Sequence, residues 1–186
     1  MKRFLVLVVL LGVAAPAAFA APPAGKGNSD TSASSSSGQG PAALCKVQRR
    51  AMGMSAFRAL YAPTGGPKAA FDACLAKEST LVASDTKNAA MKCKADRAND
   101  PEGFKSTWGS NGNKANAFGK CVSATARGLT AEQQQATLSA AASCKTERGT
   151  TADSVKAFNE KYGTGNKKNA FGKCVAAMKK KQSSGG

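Results

Sequence analysis

The chain has 186 residues and a formal net charge of +16, with 27 Lys and Arg against 11 Asp and Glu, and it contains no histidine. Without histidine, Ser-His-Asp and Cys-His catalysis are excluded, which leaves only carboxylate, Lys or Tyr chemistry. Leu, Val and Phe together occupy only 17 of the 139 positions in 43–181, and Ile occupies none. A basic chain with so few large apolar residues needs a source of stability besides its core.

The first twenty residues have the pattern of a secretory signal peptide. Lys2 and Arg3 precede an apolar run over 4–13, and the small-residue site Ala18-Phe19-Ala20 follows. The alternative is an uncleaved membrane anchor, but Pro16 interrupts a stretch already shorter than the roughly 20 residues of a spanning helix. We therefore expect a secreted protein, extracellular or in the cell envelope, with no stable membrane span after cleavage of residues 1–20.

A linker and a short tail are expected to flank the folded region. Residues 21–42 are mostly Ala, Gly, Ser and Pro, a composition typical of a disordered linker. The helical domain is expected over 43–181, and residues 182–186 are expected to form a disordered tail. Removal of residues 1–20 leaves 25 Lys and Arg against 11 Asp and Glu, so the mature chain stays strongly basic.

Three copies of one cysteine-framed segment lie within this domain, and they define the first, second and third units. The units are Cys45–Cys74, Cys93–Cys121 and Cys144–Cys174, within helical segments expected at about 43–79, 84–127 and 130–181. Each begins Cys-Lys-x-x-Arg, has a Phe followed four residues later by Tyr or Trp, and closes Phe-x-x-Cys. The aromatic positions are Phe57, Tyr61 and Phe71; Phe104, Trp108 and Phe118; and Phe158, Tyr162 and Phe171. Such repetition indicates stacked units, in a small bundle or a short array.

The repeat also predicts how the cysteines pair. Six cysteines allow fifteen pairings, but the separations within units are 29, 28 and 30, whereas those between units are 19 and 23 without a shared motif. We therefore expect disulfides between Cys45 and Cys74, Cys93 and Cys121, and Cys144 and Cys174. The alternative is a set of bridges that links neighbouring units. Export to an oxidising compartment permits either set, and disulfides would offset the thin core.

Local signals are helical throughout, so an all-α fold is expected. Asp100 with Pro101 is expected to begin one helix, and a second is expected over about 151–162, with Gly163 at its end. Thr130-Ala-Glu-Gln133 resembles a capping box, which predicts a helix start there that continues to Gly149. Asn116 and Asn169 are expected to cap the last helix of the second and third units. The disulfide would then join the last helix of each unit to its first.

The repeated aromatic and arginine side chains have structural interpretations. We expect the three aromatic residues of each unit to form the core of that unit. The alternative is that they stack against a ligand. Arg49, Arg97 and Arg148 are expected to bond helix-end carbonyls or a carboxylate, with an external anion as the alternative. Asp96 and Glu147 occupy one repeat position, where we expect solvated carboxylates rather than catalytic groups.

No cofactor, metal site or enzymatic activity is predicted. Metal sites with cysteine ligands use histidine or closely spaced Cys-x-x-Cys pairs, and the sequence has neither. The excess charge instead predicts attraction to polyanions such as teichoic acid, acidic polysaccharide or non-specific nucleic acid. The candidate anion-binding side chains lie in or beside the Asn/Gly/Lys loops: Lys114, Lys120, Lys167, Lys168 and Lys173. The alternative is that these loops are solvent-exposed polar turns that bind no anion.

The sequence of the second and third units resembles a cysteine-framed repeat of exported bacterial proteins that have no established activity. The resemblance rests on Cys-Lys-x-x-Arg, on Tyr-Gly-Thr-Gly-Asn and on Asn-Ala-Phe-Gly-Lys-Cys-Val. It is best over 144–175, good over 93–122 and weak over the first unit, where Ala62–Pro67 replaces the Asn/Lys loop. The resemblance implies secretion and repetition alone.

From the residues we expect a secreted, non-enzymatic binding module for anionic extracellular or cell-surface polymers. Three units on one scaffold would allow weak sites to reinforce one another. One alternative is a structural module, or one that binds an unidentified protein, whose charge serves solubility. Another is a cationic membrane-active protein, although no long segment is both basic on one face and strongly apolar on the other.

Overall fold

A computed structural model gives the structure of residues 40–184, which form six α-helices and no strand. The helices are α1 (Pro41–Tyr61), α2 (Pro67–Asn99), α3 (Pro101–Trp108), α4 (Ala117–Arg148), α5 (Ala152–Tyr162) and α6 (Ala170–Ser184). The predicted all-α fold is confirmed. The expected signal peptide and residues 21–39 of the expected linker lie outside the described residues, as do the last two residues of the tail.

The two ends of the described region are more helical than expected. α1 begins at Pro41, so the last two residues assigned to the linker are helical. α6 continues to Ser184, three residues into the expected tail. The hydroxyls of Ser183 and Ser184 donate to the Lys180 carbonyl, and cations in the last turns complement the helix dipole. These local interactions extend the helix past the point where composition predicts its end.

All three predicted disulfides are confirmed. Cys45 pairs with Cys74 between α1 and α2, Cys93 with Cys121 between α2 and α4, and Cys144 with Cys174 between α4 and α6. All six half-cystines have no exposed surface. The bridges therefore lie inside the units, and the set linking neighbouring units is excluded.

Two long helices each belong to two units. α2 closes the first unit and opens the second, and α4 closes the second and opens the third. Neither helix is interrupted where the sequence suggested boundaries, at 80–83 and at 128–129. α2 and α4 run antiparallel, because Cys93 lies against Cys121 while the earlier Asp85 lies against the later Thr130.

The predicted helix start at Thr130 is wrong. α4 passes through this residue, which is buried, and its hydroxyl donates to Asp85 Oδ2 at 2.8 Å. Gln133 Nε2 donates to the other carboxylate oxygen at 2.9 Å. Asp85 is only 1% exposed, so it requires these donors. The side chains of Thr130 and Gln133, which in a capping box would bond backbone amides of their own helix, thus bond Asp85 of α2 instead.

The predicted start of α3, end of α4 and start of α5 are confirmed. Asp100 caps α3 by accepting from the Gly103 amide at 3.0 Å, and Pro101 is its first residue. α4 ends at Arg148, and Gly149 follows as its C-cap with a φ of +62°, which favours glycine. Thr151 caps α5. In the first unit the helix that carries the first cysteine is kinked rather than ended, at Gly53 within α1, where φ is +80°.

The units are not arranged as a simple array, because the third packs against the first. One core cluster joins their half-cystines with Met52, Phe57, Phe158 and Phe171. A separate, smaller cluster in the second unit contains Cys93, Phe104, Ala117 and Cys121, with Trp108, Phe118 and Val122 against it. The nine repeated aromatic residues lie in or against these two cores. Phe57, Phe104, Phe158 and Phe171 are buried, and Tyr61, Phe71, Trp108, Phe118 and Tyr162 are half-buried.

Candidate anion-binding cleft

A cleft of about 650 Å³ lies where the first unit meets the third. The first unit contributes one side with the second half of α1 and the residue Pro63. The third unit contributes the other side with the end of α4, with α5 and with the loop before α6. We call this the cationic cleft. Its lining residues are Met54, Ser55, Arg58, Ala59, Pro63, Arg148, Phe158, Asn159, Asn166, Lys167, Lys168 and Phe171.

The charge of the cleft is of one sign. Arg58, Arg148, Lys167 and Lys168 line it, and no Asp or Glu from residues 40–184 does. Arg58 is held in place by the Gly65 carbonyl, to which Nε and Nη2 donate at 3.2 and 3.0 Å. Lys167 Nζ reaches an acid outside the cleft, Glu160, at 4.0 Å. Four cations around one concavity give a positive potential that attracts anions.

The loop that carries Lys167 and Lys168 is fixed by two asparagines. Asn166 Oδ1 accepts from the Lys168 amide at 3.2 Å. Asn169 bonds back to Thr164, accepting from its amide at 3.0 Å and donating to its hydroxyl at 2.7 Å. Asn169 directly precedes α6, as predicted, but its side chain bonds the loop rather than a helix amide. The loop reaches α6 in a defined conformation.

The second unit repeats this loop. Asn113 Oδ1 accepts from the Ala115 amide at 3.1 Å. Asn116 accepts from the Ser110 amide at 3.1 Å and donates to the Ser110 hydroxyl at 2.8 Å. Asn116 is the N-cap residue of α4, as predicted, but its side chain likewise makes no capping bond. The asparagines repeat because they determine the fold of the loop.

The lysines inside the two loops have an unusual backbone conformation. Lys114 has φ +54° and Lys167 has φ +60°, and they are the non-glycine residues with positive φ in residues 40–184. Lysine at such a position costs about 1–2 kcal/mol, and Gly or Asn is favoured there. The glycine at the start of each loop is required by close approach. A Cβ on Gly163 would lie 2.8 Å from Lys167 Cα, and one on Gly109 would lie 2.5 Å from Lys114 Cβ.

The five predicted anion-binding lysines do not form one site. Lys167 and Lys168 line the cationic cleft, and Lys173 lies in a neighbouring depression with Lys77. Lys114 lies in a depression of the second unit that also contains Glu102 and Lys105. Lys120 is exposed on α4. The sequence did not indicate Arg58 as a site residue, because its role depends on the first unit packing against the third.

Two of the three repeated arginines, Arg49 and Arg97, cover aromatic rings instead of bonding helix ends or carboxylates. The guanidinium of Arg49 lies 5.8 Å from the ring centre of Phe71, and that of Arg97 lies 5.0 Å from the ring centre of Phe118. These are cation–π contacts. Arg148, at the same repeat position, lines the cleft together with Phe171. In the third unit alone, the repeated arginine therefore borders a site.

The acidic repeat position has a structural role in the third unit. Glu147 accepts from Lys161 Nζ at 2.5 Å and from the Tyr162 hydroxyl at 2.9 Å. The hydrogen bond from Lys161 lowers the pKa of Glu147. In the second unit, Asp96 pairs with Lys92 one helical turn away at 3.4 Å. Neither acid contacts the neighbouring repeated arginine.

A buried polar cluster occupies the corresponding position of the first unit. Gln48 Nε2 donates to Glu78 Oε1 at 2.9 Å, and the Tyr61 hydroxyl donates to both side chains. Glu78 is only 3% exposed, and its Oε2 has no hydrogen-bond partner. Burial, followed by the charge of Glu78, raises the pKa of Tyr61. This cluster joins α1 to α2 and does not line the cleft.

Within residues 40–184, no helix is both long and apolar enough to cross a membrane. No group of three or more His, Cys, Asp or Glu side chains in this part of the chain is placed to hold a metal ion. No protein-family model matches the sequence, and no similar protein is found among curated proteins or among solved structures. Any functional assignment must therefore rest on the geometry and charge of the site.

Proposed function

We propose that this protein is a secreted, non-enzymatic binding module for anionic polymers of the cell surface or extracellular space. The observation that carries this proposal is the cationic cleft, which four cations line together with no acid from the described part of the chain. Phosphate or carboxylate groups of a polymer would pair with these cations and release counterions. Three buried disulfides favour an oxidising compartment, which agrees with export.

The remaining charge supports attraction at longer range. Among residues 40–184, Glu78 and Asp85 are buried and bonded inside the protein, and Asp72, Asp96 and Glu102 pair within single turns of their own helices. These acids therefore do little to neutralise cations elsewhere on the surface. Lys173 and Lys77 extend positive charge beside the cleft. A polymer longer than the cleft would meet further cations at its rim.

The experiment compares retention of the oxidised full chain on DNA, and on bacterial cell walls with and without teichoic acid, across a salt series. Lys167→Asn with Arg148→Gln removes two charges from the cleft, and asparagine tolerates the positive φ of residue 167. On double-stranded DNA, the slope of log affinity against log salt should fall by about 1.8. Selective retention on walls with teichoic acid would identify the target.

The second unit provides the matched control. Lys114→Asn with Arg97→Gln removes two charges at the same repeat positions, but away from the cleft. This variant should keep most of the slope. Equal loss in both variants would mean that charge spread over the surface, not the cleft, holds the polymer. Absence of retention at low salt would reject polyanion binding and favour a protein-interaction module.

A further inference from the structure

The cationic cleft has a second chemical character, because part of its lining is apolar. Met54 is 41% exposed, and within residues 40–184 it is one of three large apolar side chains with this degree of exposure. The other two, Val47 and Met91, do not line the cleft. Phe158 and Phe171 border it as well, each with only 3% of its surface exposed. A simple phosphate polymer would not use these surfaces.

Cations and apolar side chains in one concavity match the composition of small-molecule sites. Such sites enclose about 300–1,000 Å³ and combine apolar lining with a few polar groups that orient the ligand. The cationic cleft, at about 650 Å³, falls within this range. Methionine adapts its shape to different apolar ligands because its side chain is unbranched and polarisable.

We propose that the cleft binds a phosphate ester that carries an apolar chain or ring. The phosphate contacts the cations at Arg58, Arg148 and the Lys167–Lys168 loop, and the apolar group lies along Met54. This inference rests on the proposed function, because the same cations hold the anion in both. Arg58 and the loop are already fixed by hydrogen bonds, so little ordering is needed when the phosphate binds.

The test is a calorimetric titration of the oxidised full chain with n-octyl phosphate below its micelle-forming concentration. Inorganic phosphate and octyl glucoside are titrated in parallel, since each has one half of the proposed chemistry. Octyl phosphate should bind at least about tenfold more tightly than inorganic phosphate, as burial of two methylene groups predicts. Octyl glucoside should give no binding.

Two methionines provide the matched variants. Met54→Ser should weaken octyl phosphate binding about fivefold and leave inorganic phosphate unchanged, because it removes apolar contact alone. Met91→Ser alters a more exposed methionine, 57% exposed, outside the cleft and should change neither affinity. Equal affinities for octyl phosphate and inorganic phosphate would overturn the inference. An equal loss in both methionine variants would overturn it too.

Failure of this inference is distinguishable from failure of the proposed function. Suppose that polymer retention depends on Lys167 and Arg148 but that octyl phosphate binds no more tightly than inorganic phosphate. This result would overturn the binding of an apolar phosphate ester and would still support the polymer site. Sedimentation with vesicles that contain phosphatidic acid then identifies the source of the ester. Vesicle binding that is lost in Met54→Ser supports a lipid headgroup, and binding of octyl phosphate without vesicle binding supports a soluble ester.

Discussion

The second and third units share their sequence pattern but not their surroundings. Phe118 and Phe171 occupy the same repeat position, yet Phe118 is half-buried and Phe171 is only 3% exposed. A Cβ on Gly119 would meet nothing within 4 Å, whereas one on Gly172 would lie 3.6 Å from the Leu60 carbonyl oxygen of α1. The repeated motif thus specifies a unit, and the contact with the first unit creates the cleft.

The same difference separates the sources of stability. The first and third units share a core that includes four half-cystines and several buried aromatic side chains. The second unit has only its small cluster around Cys93 and Cys121. Each disulfide closes a loop of about 30 residues, which constrains the unfolded chain by about 3–4 kcal/mol on the chain-entropy model. The second unit therefore depends more on its bridge.

The strongest test of this contrast removes the second disulfide. In Cys93→Ala with Cys121→Ala, we expect the second unit to lose about 3–4 kcal/mol and to unfold before the rest. The chain has one tryptophan, Trp108, in the second unit, and two tyrosines, Tyr61 and Tyr162, in the first and third. Urea unfolding followed by tryptophan fluorescence and by tyrosine absorbance should then give two separate transitions.

The corresponding control removes Cys144 and Cys174 with the same substitutions. Because their surroundings retain the shared core, unfolding of the first and third units should shift to lower urea as one transition. Coincident tryptophan and tyrosine transitions in the Cys93 and Cys121 variant would show that the second unit has no separate stability.

The paired phenylalanines test the same contrast through packing. Phe171→Ala should cost about 3–5 kcal/mol, because it opens a cavity in the shared core. Phe118→Ala should cost about 1–2 kcal/mol, because this ring is already half-exposed. The free energies of unfolding from urea titrations measure both. Equal costs would mean that the third unit gains no stability from packing against the first.

A single hydrogen bond is tested in the segment between the two cores. Thr130→Val removes one donor to the buried Asp85 and should cost about 1–3 kcal/mol. Thr86→Val is the control, because Thr86 is exposed on α2 and its hydroxyl bonds within its own helix. The control should change stability by less than about 0.5 kcal/mol. Urea unfolding would contradict the role of Thr130 if both variants matched the unmodified protein.

Much of the unit could be predicted from the sequence, because its determinants are local and occur more than once. The disulfide pairing followed from equal spacing within units. The start of α3 followed from Asp100 with Pro101, the end of α4 from Gly149, and the bounds of α5 from Thr151 and Gly163. Cap residues and turn glycines act within a few residues, so their effect can be inferred without knowledge of the tertiary fold.

The cleft could not be predicted in the same way. Arg58 and Met54 reach it only because α1 packs against α4 and α6, and nothing near them in sequence indicates this contact. The helix start at Thr130 failed for a related reason, since Asp85 lies 45 residues away. Asparagine is a common cap residue, but the side chains of Asn116 and Asn169 accept from loop amides instead of helix amides.

Because α4 runs without a break from the second unit into the third, it fixes how the third unit is rotated about the helix axis relative to the second. An α-helix turns by about 100° per residue, so one residue inserted between Thr130 and Cys144 would rotate everything that follows by that amount. Cys144 and Cys174 both follow the insertion and could still pair. The face of the third unit that meets α1 would be turned away, which would dismantle the cleft. The number of residues in this helix is therefore as much a determinant of the site as the cations that line it.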